Sequence, residues 1–539
     1  MSRRRQAPMK EQFTSYALAH VKRVLTQMDR DPCSPTYGCF DRNYWHYKIS
    51  DFPSSVLQQG IFVLEAIRRG RIASDVPRRA IEEWCVAALN ALARQAGRKG
   101  EVAEYFPFER SYPAAAFGLH AVMRVLYDWQ ADAPSLLERI DWAPLKALAL
   151  GLAGREETEA SNQRAVALAG LALAGRIEAM GLPPGIAGSY AEGFFESQSE
   201  EGWFTEYGGP DCGYLSVTLD ALVDYFDASG DQRALDACSR AVRFMASLMG
   251  PDGELPWTLN SRNTDYVVPY GLVRLAAKDP LASWLVKVLF GNLRDPDHFA
   301  WSTDDRYHCH YIFASLVRSL PFLDSLCTDA PPAETGRLWL ERCGILRWRP
   351  QGAGWAAYVG ARKGGVLRIQ MEGAPPVLDH GWRIESGNGL WTTNWQSGDW
   401  RVEADDERIE VSSRAAGVAF HQPTPLKHAT LRLAAWFLRE RMTRYLKKVM
   451  IFRGRGNPGP AYRRAVRFTS GGIQVSDRFD PFPGATARPS PRQNMRHVAS
   501  ADSFSSEEWI TPLFGDGEHG ISDGLEEERS WTPDPERRR

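Results

Sequence analysis

The chain has 539 residues, 44% of them apolar and 24% charged, and its 65 Lys and Arg against 66 Asp and Glu leave a formal net charge of −1. That composition belongs to a soluble globular protein with room for two domains, and it removes any global electrostatic case for nucleic acid. The eight cysteines form no CxxC pair, which argues against a structural zinc site or a disulfide framework.

Residues 1–10 read as a basic N-terminal tail. The start, MSRRRQAPMKEQFTSYALAH, has the charges of a signal peptide without its apolar core, and no later run reaches about 18 uninterrupted apolar residues. A cytoplasmic protein is expected. From 11 to 330, apolar residues recur at helical spacing in blocks broken by Gly, Pro and Asp, which predicts about twelve helices: 11–28, 54–70, 76–96, 111–129, 134–153, 160–180, 187–198, 213–228, 232–249, 266–278, 280–292 and 305–325. Many fall into hairpin pairs, and such a series must close its apolar stripes against each other. The absence of a strict repeat favours a toroid of helical hairpins over a regular solenoid.

After Pro331 and Pro332 the pattern changes. GILRWRP, GWAAYVGA, GVLRIQM, GWRIES and RIEVSS are short, aromatic and β-branched, and AVRFTSGGIQVSDRF adds a hairpin at Gly471 and Gly472, so an antiparallel β domain is expected over 335–482. A basic amphipathic helix, 426–450, interrupts the strands within the Lys/Arg-rich stretch 426–455. It is expected either to pack on the sheet with a solvated basic face or to make peripheral contact with an anionic membrane. Residues 483–539 read as a flexible C-terminal tail.

Neither GxGxxG after a strand nor GxxxxGK[ST] occurs, so the common nucleotide motifs are missing and no cofactor is expected. His308 and His310 in RYHCHY lack clear further ligands, and a polar lining of the helical domain's mouth fits them better than a metal site. The polar residues that stand out lie beside aromatics and glycines at helix ends: Arg110 and Tyr112 in YFPFERSYP, Asn162, Gln163 and Arg164 in SNQRA, Trp203, Glu206, Tyr207 and Tyr214 in EGWFTEYGGPDCGYLSVTLD, and Arg262, Asn263 and Tyr266 in NSRNTDYVVPYG. Loops of a toroid gather over its hollow. Aromatic faces stack on sugar rings while Asn, Arg and Glu supply directional hydrogen bonds to hydroxyls, so a saccharide ligand is expected there.

The order helical domain then β domain, with EGWFTEYGGPDCGYLSVTLD, NSRNTDYVVPYG and VLDHGWRIESGNG, resembles the heparinase II/III-like proteins over about residues 35–480. The resemblance implies an incomplete (α/α) toroid followed by an antiparallel β-sandwich, with an acidic polysaccharide or oligosaccharide in the cleft between them. It also implies β-elimination at a uronic acid in exopolysaccharide metabolism. Such chemistry needs a group that neutralises the C6 carboxylate, a base for the C5 proton and an acid for the leaving oxygen.

By the same resemblance Asn162, Tyr214 and His380 take catalytic places, Arg262 or Arg164 supplies positive charge, and Gln163 stands where a catalytic His is expected. A glutamine cannot act as a base. The bland readings are a helix cap for Asn162, a packed aromatic for Tyr214 and a strand-end histidine for His380. C5 epimerisation begins with the same proton abstraction. An inverting glycoside hydrolase using Glu206, Asp211, Asp265 or Asp305, and a non-catalytic saccharide-binding or assembly protein at the membrane face, are the alternatives.

Overall fold

The computed structural model describes residues 8–303, 305–327, 334–387, 389–418, 422–439, 458–469, 471–492 and 517–533, together with 441, 442 and 445. Twelve helices of six or more residues build the first domain: α1 (Met9–Leu25), α2 (Ile61–Arg68), α3 (Arg78–Gln95), α4 (Tyr112–Asp132), α5 (Trp142–Ala153), α6 (Ser161–Ala174), α7 (Gly188–Phe195), α8 (Cys212–Ser229), α9 (Gln232–Leu248), α10 (Tyr270–Leu275), α11 (Pro280–Phe290) and α12 (Phe313–Ser319). The even-numbered helices pack side to side in sequence order, α12 lies back against α2, and the odd-numbered helices pack outside them. The result is an incomplete (α/α) toroid of helical hairpins.

Residue pattern explains which helix goes where. In α8 every residue from Cys212 to Tyr225 is buried, the all-round burial of an inner helix. In α9 only Ala234, Ala237, Cys238, Ala241, Val242, Phe244, Met245 and Leu248 are buried, one stripe at helical spacing on an otherwise charged surface. Several expected helices are shorter than their apolar pattern. Residues 266–268 stay outside the helix, where Asp211 and Ser216 bind the backbone or side chains of Arg262, Thr264 and Val268, and α10 begins only at Tyr270. The stretch 134–153 breaks into a turn at Pro134–Leu137 and α5, with Asp141 preceding the second piece.

The second domain is an antiparallel β-sandwich, with fifteen strands among its described residues. β1 (Gly336–Leu340), β2 (Ile345–Arg349), β3 (Trp355–Gly360), β4 (Val366–Met371) and β5 (Ala374–Asp379) form one meander. The remaining strands are β6 (Trp382–Ser386), β7 (Gly389–Thr392), β8 (Arg401–Ala404), β9 (Arg408–Arg414), β10 (Ala416–Gly417), β11 (Ala461–Thr469), β12 (Gly472–Phe479), β13 (Thr486–Pro489), β14 (His519–Gly520) and β15 (Leu525–Trp531). They make two further sheets, ordered β10-β7-β6-β13-β14 and β15-β12-β11-β9-β8. Trp348 meets Phe468 and Trp355 meets Trp531 between the first and third sheets, and Trp382 meets Phe479 between the second and third.

Two expectations are corrected here. β13, β14 and β15 lie in the stretch read as a flexible tail, and β15 pairs with β12 along its whole length, from Ile473 opposite Trp531 to Phe479 opposite Leu525. Its LEEERSW sequence carries glutamates on the outward face, so the charge hides the alternation that marks an edge strand. The inserted helix, α13, runs Pro425–Leu438; the remainder of 426–450 is described only at Arg439, Arg441, Met442 and Tyr445. α13 packs on the toroid rather than on the sheet: Ala435 and Met442 form a small core with Phe106, Trp436 stacks on Phe108 with ring centroids 6.2 Å apart, and Arg432 pairs with Asp51. No helix among the described residues is long and apolar enough to cross a membrane.

Candidate functional site

The loop between α7 and α8 and the loop before α10 meet at the N-terminal ends of the inner helices. Asp211 caps α8, its Oδ1 accepting the Tyr214 N–H at 3.1 Å, while its Oδ2 accepts the Arg262 N–H at 3.0 Å and the Thr264 hydroxyl at 3.0 Å. One carboxylate thus fastens both loops to one helix end. Burial drives its pKa up to about 6 even though these three donors pull the other way.

Glu206 performs the same task toward α6. Its Oε1 accepts the Asn162 N–H at 2.6 Å and its Oε2 accepts the Asn162 side-chain amide at 2.8 Å, and the Ser261 hydroxyl donates to its carbonyl at 2.6 Å. Glu206 is fully buried, so desolvation raises its pKa well above the carboxylate range, with Asp211 adding to the effect. Asn162 is therefore more than a cap: it is the partner of a buried carboxyl, with one amide proton already committed.

Arg262 stands between these two carboxyls and Tyr207. It has no solvent exposure, and its Nε, Nη1 and Nη2 have no hydrogen-bond partner among the described residues. Its guanidinium carbon lies 4.4 Å from the centre of the Tyr207 ring. Tyr207 and Asn263, on either side of this group in the fold, both hold left-handed backbone at φ 52° and 58°, which non-glycine residues adopt at a cost and which concentrates at functional sites. The Gln163 amide donates to the Tyr207 hydroxyl at 3.3 Å, and its Oε1 is buried without a partner among the described residues.

The β domain closes the site from the other side. Lys363, in the short turn after β3, is buried and donates to the carbonyls of Thr258 at 2.9 Å and Asn260 at 2.6 Å and to Asn263 Oδ1 at 2.5 Å. Gln396 donates to the Gly208 carbonyl at 3.3 Å. A side chain on Gly209 would collide with that amide, its Cβ falling 2.7 Å from Gln396 Nε2, so the glycine permits the interdomain approach.

The structure thus gathers Asn162, Gln163, Glu206, Tyr207, Arg262 and Asn263, with the backbone of Tyr214 tied in through Asp211. Other expected site residues go elsewhere. Arg164 turns outward to Ser197 and the Gly193 carbonyl on α7, and Trp203 bonds Glu201, which itself holds the β1–β2 turn at Arg342 and Cys343. His308 does not line a mouth; it is fully buried within ring-contact distance of Tyr16, His20 and Phe313. The side chain of His310 lies outside the described residues. Tyr112 is buried against Tyr190, its phenol pushed well above its ordinary value by desolvation and then by Tyr190, and Tyr266 is buried beside Gly213. Arg110 has a buried Nε without a partner among the described residues and offers its carbonyl to Arg155. His380 is buried between β5 and β6, its carbonyl accepting from Asn394 at 2.8 Å. Sequence reasoning missed Lys363 and Gln396, whose neighbours ARKGG and NWQSG carry no motif, and it read Asp211 only as a candidate hydrolase acid.

No protein-family model matches the chain, and no curated protein matches it in sequence. Solved structures do match in fold. The Streptomyces coelicolor A3 chondroitin AC lyase, solved in complex with chondroitin sulphate, aligns over 91% of this chain and 69% of its own at a TM-score of 0.51 and 12% identity. A Paenibacillus xanthan lyase aligns over 89% of this chain at a TM-score of 0.52 and 10% identity, and this chain spans 46% of that protein. The expected architecture, a helical toroid followed by antiparallel β sheets, therefore holds at the level of fold.

Proposed function

We propose that this protein acts on a uronic-acid-containing polysaccharide by removing the C5 proton, as a lyase or, by the same first step, an epimerase, in exopolysaccharide metabolism. The observation that carries the reading is Arg262, a buried guanidinium without a hydrogen-bond partner among the described residues, set against a tyrosine ring. A buried uncompensated cation is expensive to maintain, and an anionic group of the substrate would compensate it. In this reading Arg262 neutralises the uronate carboxylate, which makes the C5 proton removable by stabilising the enolate-like charge.

Tyr207 then takes the proton-transfer place that Gln163 cannot fill, because its hydroxyl is within reach of Gln163 and its ring faces Arg262. Tyr214 supplies the second phenol, and Asn162 positions the loop through Glu206. His380, buried between β5 and β6, is given no part in the proton transfer. The hydrolase alternative draws less support, since Glu206 and Asp211 are both committed to backbone N–H groups.

Incubation with a panel of acidic polysaccharides in D2O tests the reading. Unsaturated uronide ends, or deuterium at C5 without cleavage, are expected with one of them; neither product with any substrate contradicts it.

A site of action at the cytoplasmic face of a membrane belongs to the same proposal. The seven cysteines whose side chains are described are free thiols, in keeping with a reducing compartment. Leu426, Leu433, Trp436 and Phe437 of α13 are exposed beside Lys427 and Arg432, the composition of an interfacial helix. Sedimentation with anionic but not zwitterionic vesicles is expected; equal sedimentation with both, or none, argues against it.

A further inference from the structure

At the opposite end of the toroid, where the inner helices finish, lies a second pocket of about 310 Å³ that the proposed chemistry does not use. Its walls come from α2, from the C-terminal halves of α4 and α8, and from α10 and α12, whereas Asn162, Asp211 and Tyr214 sit at helix starts. Five guanidinia line it, those of Arg69, Arg71, Arg124, Arg274 and Arg318, against the carboxylates of Glu65, Asp128 and Asp227.

Four of the five arginines have partners. Arg69 pairs with Glu65, with Asp128 at 3.1 Å and with Asp132 at 2.8 Å. Arg124 pairs with Asp128 and, at 3.2 Å, with Asp227, which Arg274 holds through both oxygens at 2.8 and 2.9 Å. Arg318 pairs with Asp224, which also accepts from His120 and Tyr270. Arg71 differs: half-buried just past α2, its backbone N–H donates to the Ala66 carbonyl at 2.8 Å, but its guanidinium makes no hydrogen bond or ion pair among the described residues. Burial and the neighbouring Arg69 pull its pKa below the usual guanidinium range, against the opposing pull of Glu65 and Asp128.

The apolar part of the wall is aromatic. Arg274 lies over the Phe322 ring at 4.8 Å, and Arg318 lies over Phe62 at 4.5 Å and Tyr270 at 3.8 Å, so the guanidinium planes are fixed by stacking as well as by ion pairs. Preorganised forks of this kind suit oxyanions with several acceptor atoms, and the volume sits at the small end of the range for metabolite pockets.

We propose that this rear pocket binds a small phosphate-type oxyanion, free or as the phosphate of a sugar ester, with Arg71 as the residue that meets it. The site is separate from the loops that carry the proposed lyase chemistry and does not depend on that reading.

Thermal unfolding of the full chain, with inorganic phosphate or a hexose phosphate added against chloride at matched ionic strength, tests it. Each phosphate is expected to raise Tm by about 2 °C or more at saturation, and Arg71→Gln is expected to remove the rise. Because Arg71 holds nothing together, the ligand-free variant should melt at or above the wild-type temperature, which separates lost binding from lost folding. A larger rise with the hexose phosphate assigns the sugar ester as the ligand, and equal rises assign the free oxyanion. No rise in the wild type, or an equal rise in Arg71→Gln, overturns the proposal.

Discussion

The Arg262 guanidinium lies 4.4 Å from the centre of the Tyr207 ring, fully buried, with no hydrogen-bond partner for its three nitrogens among the described residues. A cation–π contact returns on the order of 1–2 kcal/mol when desolvated, whereas removing a guanidinium from water costs several. The arrangement is thus poor for stability and well suited to receiving an anion.

Arg262→Met is accordingly expected to leave thermal stability unchanged or raise it, while any activity on an acidic polysaccharide falls by about 10²-fold or more. Differential scanning calorimetry beside a product assay checks both halves. A large loss of stability would mean that Arg262 is a structural post.

Asp211 gives a prediction in pH. Its folded pKa of about 6 lies above its unfolded value near 4. The folded state therefore holds the proton more tightly, and the stability from this group is fully present below about pH 4 and lost as pH rises through 6. The shift corresponds to a change on the order of 3 kcal/mol. Asp211→Asn removes that dependence, so the stability difference between wild type and variant, from urea unfolding at several pH values, should shift in the variant's favour between pH 4 and 7. At low pH the variant should still be less stable, by about 1–2 kcal/mol, because an amide cannot accept from all three donors.

Lys363 links the domains through two carbonyls and Asn263. Lys363→Met leaves these acceptors buried without their shared donor, with an expected cost of about 2 kcal/mol or more. Since the same loop carries Arg262, activity should fall as well, and reduced protection of the 258–263 amides in hydrogen exchange would locate the damage. Unchanged exchange there would show that the loop holds itself.

The architecture was legible because helix and strand periods are carried by runs of residues: α9 repeats its buried apolar residues at helical spacing, and β3 is a continuous apolar run. β15 was not legible, since its outward glutamates resemble a solvated tail. The site was half legible. Glycine-rich loops beside aromatics pointed to Glu206, Tyr207 and Arg262, but no local pattern reveals that Arg164 turns outward, that Asn162 is bound by a carboxylate 44 positions away, or that Lys363 arrives from the other domain. Those contacts are tertiary, and sequence spacing holds no information about them.

The most direct test of the central claim follows the ultraviolet absorbance of unsaturated uronide products during incubation with acidic polysaccharides, comparing wild type, Tyr207→Phe and Tyr214→Phe. The account predicts a rise with at least one substrate, reduced about 10²-fold or more in Tyr207→Phe, which removes only the hydroxyl that Gln163 meets. A rise that survives intact in Tyr207→Phe would contradict the assignment of the proton transfer. No rise with any substrate, and no deuterium entering at C5, would contradict the proposed chemistry itself.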